Sequence, residues 1–187
     1  MDTTLAIMLG IGLSAACGFR VFVPMLVMSI AARAGYLELA SGFEWIATWP
    51  ALLAFGTATI IEILVSLIPG LQNILDALAV PAAAVAGTIA TAAMVGNLSP
   101  FLQWSIALIA GGGTATTVEL GTAAIRVPGI GTLESILEDI AAITMSILAI
   151  VIPVIIFGIT IVIVLIILLL SKKLFQAFRK PQHSQKL

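Results

Sequence analysis

The chain of 187 residues predicts an all-α fold, a polytopic transmembrane helical bundle, and three observations carry that reading. Hydrophobic residues make up 61% of it and charged ones 9%, with a mean hydropathy of +1.23; soluble domains carry about 25% charged residues. The apolar residues fall in runs long enough to cross hydrocarbon, which takes about 20 residues of helix. Two of those runs each hold a carboxylate at matching depth: Gly56-Thr57-Ala58-Thr59-Ile60-Ile61-Glu62 returns as Gly113-Thr114-Ala115-Thr116-Thr117-Val118-Glu119. An ionisable group inside a bilayer costs about 2.5 to 3.5 kcal/mol on insertion scales, so it marks a pathway, a proton site or a fixed partner.

Five membrane elements follow in order. The first run, 4–33, holds Gly10, Gly12, Ser14 and Gly18 on closely spaced turns, then Arg20 and Pro24. It is either one kinked crossing or a re-entrant pair of half-helices, and the kink is the preferred reading. Proline removes a backbone hydrogen bond, and non-helical backbone at membrane depth survives only against protein or a wet cavity. Runs 50–68, 75–96 and 102–126 are the next three crossings, and 139–171 is a fifth, longer than one crossing needs. Its Pro153 and Gly158 predict a tilt or bend that relieves the mismatch. Trp45, Trp49 and Trp104 fall at run ends, as interfacial aromatics do.

The duplication extends past the seven-residue box. Glu62 is followed by Pro69-Gly70 and then Asp76, and Glu119 by Pro128-Gly129 and then Glu138-Asp139. Each copy reads as helix, turn, acidic helix start, helix, with Asp76, Glu138 and Asp139 as interfacial caps on the positive end of a helix dipole. A hairpin returns to its starting side, so repeat A (51–96) and repeat B (104–170) share one orientation, a parallel plan known among transporters. Both lie in a single membrane domain, 1–171, followed by a basic tail, 172–187. Lys172, Lys173, Arg179, Lys180 and Lys186 place that tail in the cytoplasm under the positive-inside rule. The expected location is an inner (plasma) membrane, with the N-terminus outside and the loop around Glu134, Glu138 and Asp139 facing out.

Helical spacing turns the duplication into a site. Thr59 lies three residues before Glu62 and Thr116 three before Glu119, so each helix presents a hydroxyl and a carboxyl on one face. Arg20 sits at comparable depth and is the residue least tolerable alone in lipid. The expectation is that Arg20 faces the bundle interior and pairs with Glu62, Glu119 or both, forming a buried polar centre for a substrate or a proton. Gly10, Ser14 and Gly18 on the first element, and Gly113, Thr117 and Gly121 at intervals of four on the fourth, are expected to pack helices closely.

Other chemistry is not expected. One cysteine, Cys17, excludes an internal disulfide, and the single His183 sits in the polar tail. Gly111-Gly112-Gly113 lacks the Lys and Ser/Thr of a phosphate loop. Ser14 has no histidine to activate it, so no catalytic residue, metal or cofactor is assigned, and no nucleic-acid module is present. The N-terminal stretch ending at Cys17 lacks a positive n-region and reads as the first membrane element, not a cleaved signal. Lipid is the expected partner, and the small-residue faces permit a homo-oligomer.

The stretch from Gly12 to Pro24, with Phe43-Glu44-Trp45, Ile68-Pro69-Gly70, Leu75-Asp76 and Ile109 to Gly113, resembles the bacterial membrane family catalogued as domain of unknown function 4126. The resemblance implies a small multi-pass membrane protein and no reaction or substrate. Transport or permeation of a small solute or lipid headgroup is the leading function. The alternative is a non-transporting membrane scaffold or assembly factor in which Arg20 and the two Glu form a structural clamp.

Overall fold

The computed structural model describes residues 2–68, 72–96, 98–125 and 131–179, with the backbone alone at 72–77, 131–132 and 174–179. Within these residues the fold is all helical: α1 (Thr3–Cys17), α2 (Phe22–Arg33), a 3-10 turn (Glu44–Ala47), α3 (Trp49–Ser66), α4 (Gln72–Met94), α5 (Pro100–Ile106), a π-helical stretch (Ala107–Gly112), α6 (Gly113–Ile125), α7 (Gly131–Val151) and α8 (Pro153–Arg179). Two of these, Trp49–Ser66 and Pro153–Lys173, are long and apolar enough to cross a membrane, with mean hydropathies of 1.6 and 3.3.

The first run is a hairpin, where the sequence favoured one kinked crossing. Thr3 and Ala6 at the start of α1 line a pocket with Glu38, Leu39, Ala40 and Ser41, which follow α2, while Arg20 between the helices lies at the opposite end of the bundle against Asp139 of α7. The chain therefore runs out along α1 and back along α2. Pro24 bends nothing, because it falls in the first turn of α2, where no intrahelical N–H is required. The reversal comes at Gly18, whose N–H closes α1 onto Ser14 and Ala15 carbonyls.

A second reversal divides the last run. Ile152 is non-helical; its N–H closes α7 onto the Leu148 carbonyl at 2.7 Å, and its own carbonyl accepts from Ile156 N to open α8. Pro153 starts α8, as its missing N–H allows. Ala149 of α7 and Ile156 of α8 both lie beside Gly12, whereas Asp139 meets Arg20 and Ile167 meets Gly121 at the far end. The chain thus reaches the level of Gly12 along α7 and returns along α8, so the expected single crossing over 139–171 is two helices. Seven helical rods result among the described residues, counting α5 to α6 as one, where five were expected.

The rods share two ends. At one, Trp45, Trp49 and Trp104 gather: Arg33 lies 4.0 Å over the Trp49 ring, and the Phe43 and Trp104 rings meet tilted, with centroids 6.1 Å apart. Thr48 caps α3 there by accepting from Ala51 N, with Pro50 following. At the other end lies Arg20. The helices α3 and α4 start and finish at the tryptophan end; α5 to α6 starts there too, and α7 heads back from the arginine end. The acidic start of α7 and the basic later part of α8 share the arginine end, which corrects the expectation that Glu134, Glu138 and Asp139 sit opposite the tail. Lys172 and Lys173 belong to helix α8; Lys180 onward, His183, Pro69-Gly70, Arg126 and Pro128-Gly129 lie outside the described residues, as does the side chain of Asp76.

Small residues let the central rods touch. Ser14 Oγ donates to the Gly87 carbonyl at 2.6 Å and shares a 2.8 Å hydrogen bond with Thr91 Oγ1, joining α1 to α4. A Cβ on Gly111 would overlap Thr91 Oγ1 and stand 2.6 Å from the Gly87 carbonyl oxygen, so only glycine admits this approach. A Cβ on Gly10 would meet Thr91 Cα at 3.0 Å.

Candidate functional site

The α1–α2 turn carries Arg20 into the bundle, while Arg33, the other charged residue of the first run, ends α2 beside Trp49. Arg20 is 7% exposed. Its Nε donates to Asp139 Oδ1 at 2.6 Å, and its Nη2 donates to the Ser135 carbonyl at 3.1 Å and to Ser66 Oγ at 3.3 Å. Nη2 also stands 3.6 Å from Glu138 Oε2. These contacts tie the turn to the end of α3 and to α7. Burying a guanidinium is tolerable when its donors are met in this manner and its charge is balanced nearby.

The ion pairs of Arg20 run to Asp139 and Glu138, where the sequence pointed to Glu62 or Glu119. The cause is the start of α7. Because the helix begins at Gly131, Glu138 and Asp139 lie about two turns inside it and cannot cap its first turn.

Glu62 reaches the same turn by another route. Its Oε1 accepts from Val21 N at 2.9 Å and its Oε2 from Phe22 N at 3.2 Å. Those are unpaired N–H groups at the start of α2, so a carboxylate from α3 caps a neighbouring helix and meets the positive end of its dipole. Glu119 is buried on α6, 4% exposed, at the same end of the bundle. Thr59 is buried and its Oγ1 makes no hydrogen bond; Thr116 is half-buried.

The packing residues separate in the same way. Gly10, Ser14 and Gly18 lie buried in the interior: a Cβ on Gly18 would meet the Ala115 carbonyl oxygen at 2.5 Å and Val118 Cβ at 2.6 Å. Gly121 faces Ile167 of α8. Gly113 is exposed and has nothing within 4 Å of a Cβ, and Thr117 donates to the Gly113 carbonyl of its own helix. The π-helical turn explains the difference. Its wider ladder rotates the residues after it, so Gly111 and Gly112 face α4 and Gly113 faces out.

Asp139, Glu138, Ser66 and Ser135 are the site members that sequence reasoning missed. Ser66 follows Glu62 by one helical turn, and that spacing was the available signal.

A hydroxyl bonded across to α4, glycine contacts and a charge-paired turn mark the region most specific in the sequence, from Gly12 to Pro24. The chain belongs to the family described as Domain of unknown function (DUF4126). The match covers residues 7–173 and so includes every residue of the Arg20 cluster. No curated protein and no solved structure matches the chain. Family membership brings no substrate or reaction, so function is argued from the cluster itself.

Proposed function

We propose that this member of the family is a multi-pass integral membrane protein that acts as a non-transporting scaffold, with the Arg20 cluster as its clamp. The observation that carries the reading is the 2.6 Å bond from Arg20 Nε to Asp139 Oδ1, backed by acceptors on α3 and α7. A permeation centre needs groups free to exchange partners with a solute. Here the guanidinium already holds three hydrogen bonds, and the Glu62 carboxylate holds two backbone N–H groups.

In this reading the tryptophan end lies at one interface and the arginine end, with Lys172 and Lys173, at the cytoplasmic one of an inner membrane. The two carboxylate boxes are parallel repeats, α3–α4 and α6–α7, each delivering an acidic helix to the cytoplasmic end. The α1–α2 hairpin returns to the tryptophan end and the α7–α8 hairpin to the arginine end, so α1 starts and α8 finishes on opposite sides.

A second reading, permeation, is favoured by one observation: a groove of about 260 Å3 reaches Glu138, the looser partner of Arg20. Reconstitution separates the two. With the full chain in liposomes loaded with a pH-sensitive dye, the scaffold reading expects proton flux equal to protein-free vesicles. Flux that vanishes in Glu62→Gln while the variant stays folded would establish permeation instead.

A further inference from the structure

Helix α8 outlasts its membrane span. Its apolar stretch, Pro153–Lys173, covers 21 residues and rises about 30 Å, which is the depth of the hydrocarbon core. The helix runs on to Arg179, so residues 174–179 carry it about 9 Å farther, enough to pass through one headgroup layer.

The continuation is basic and one-sided. At about 100° per residue, positions 172, 173, 176 and 179 fall within about a third of the helix circumference, and they are Lys, Lys, Gln and Arg. Leu174, Phe175, Ala177 and Phe178 take the remainder. A basic face backed by Phe and Leu is the pattern of a helix seated in a lipid interface. Resting on the membrane reading above, we propose that this end of α8 binds the phosphate headgroups of anionic phospholipids in the cytoplasmic leaflet.

The surroundings of α8 point to lipid as the occupant. Only 11% of its apolar window is buried in the bundle, so in a membrane lipid surrounds most of the helix and brings headgroups beside Lys172 and Lys173. Both lysines are exposed, and no ion pair among the described residues uses either one. The nearest anions at that end are turned inward: Asp139 and Glu138 face Arg20, and Glu62 caps α2.

The tryptophan end offers no such pair. Its guanidinium, Arg33, is taken by the Trp49 ring and by the Ala47 carbonyl at 3.0 Å. In the sequence Arg179, Lys180 and Lys186 add to the two lysines of α8, and clusters of about four to eight such residues just inside a spanning helix attract anionic lipid. Each basic residue near the surface raises that affinity about fivefold.

The test places the full chain in phosphatidylcholine vesicles with trace spin-labelled phosphatidylglycerol or phosphatidylcholine of identical acyl chains. Electron spin resonance reads the share of each that the protein immobilises. The expected result is a preference of at least about twofold for phosphatidylglycerol at low salt, averaged over all lipids around the bundle. It should vanish at about 1 M salt, where charges are screened beyond about 3 Å. Lys172→Gln with Lys173→Gln should remove at least about half of the preference, Lys172→Arg with Lys173→Arg should keep it, and Arg33→Gln should leave it unchanged. Equal immobilisation of the two lipids at low salt overturns the proposal. So does a preference that survives high salt, or one that the paired Gln variant keeps in full. The salt series needs no variant, so it decides the matter even where the Gln variant fails to fold. Protein that an alkaline carbonate wash strips from the vesicles removes the membrane reading and this proposal together; protein that stays in the vesicles without a lipid preference removes this proposal alone.

Discussion

Two polar regions hold α1 in the bundle, and they do so by opposite means. Around Ser14, the contacts are short and local: a hydroxyl on the Gly87 carbonyl, another on Thr91, and Gly111 against both. Around Arg20, one long side chain reaches across to acceptors on α3 and α7. The first region depends on backbones that approach closely, so it tolerates no added atom and gains little from any one hydrogen bond. The second depends on charge balance, so it tolerates changes of shape and fails when one partner is removed. The bundle thus uses small residues to fix distance and a buried ion pair to fix which helix ends meet.

The contrast can be broken in order of effect. Arg20→Leu leaves Asp139 and Glu138 near one another without the cation between them. A loss of about 3 to 5 kcal/mol is expected, the range for removing one partner of a buried pair, read as unfolding in mixed micelles. Gly111→Ala puts a methyl group onto Thr91 and the Gly87 carbonyl. The expected loss is about 1 to 3 kcal/mol, as for overpacked interiors, with a lowered Tm. Ser14→Ala removes two hydrogen bonds and no packing of consequence, and should cost about 0.6 kcal/mol per bond, the average inside membrane proteins. Gly113→Ala should be neutral or stabilising by about 0.5 to 1 kcal/mol, since a Cβ there meets open space and alanine suits a helix better. If Gly113→Ala destabilised as much as Gly111→Ala, the assignment of the packing face would be wrong.

Much of this was legible in the residues, and the remainder was hidden for physical reasons. An arginine in an apolar run has to find anions, so Arg20 announces a cluster before any fold is known. Which anions it finds depends on where α7 starts, and hydropathy places that start at 139 because Glu134, Glu138 and Asp139 read as a polar loop. In the fold they lie inside a helix that begins at Gly131. Pro153 reads as a bend in one long crossing; that Ile152 leaves the helix and turns the chain back is decided by the contacts of both arms with Gly12. Gly113 looked like a packing glycine because a spacing of four assumes an α-helix throughout. The π-helical stretch just before it shifts the face, and nothing in Gly111-Gly112-Gly113 marks that insertion. Glu62 was legible as an interior carboxylate, while its role as a cap on α2 required knowing that α1 and α2 form a hairpin.

The central claim is that Arg20 and Asp139 are one clamp. A double-mutant cycle on Arg20→Leu and Asp139→Leu, with unfolding measured in mixed micelles, tests it most directly. The account predicts that each single change is strongly destabilising and that the double variant recovers at least about 2 kcal/mol relative to the sum, because the uncompensated charge is gone. Additive losses, with no recovery in the double variant, would contradict the clamp.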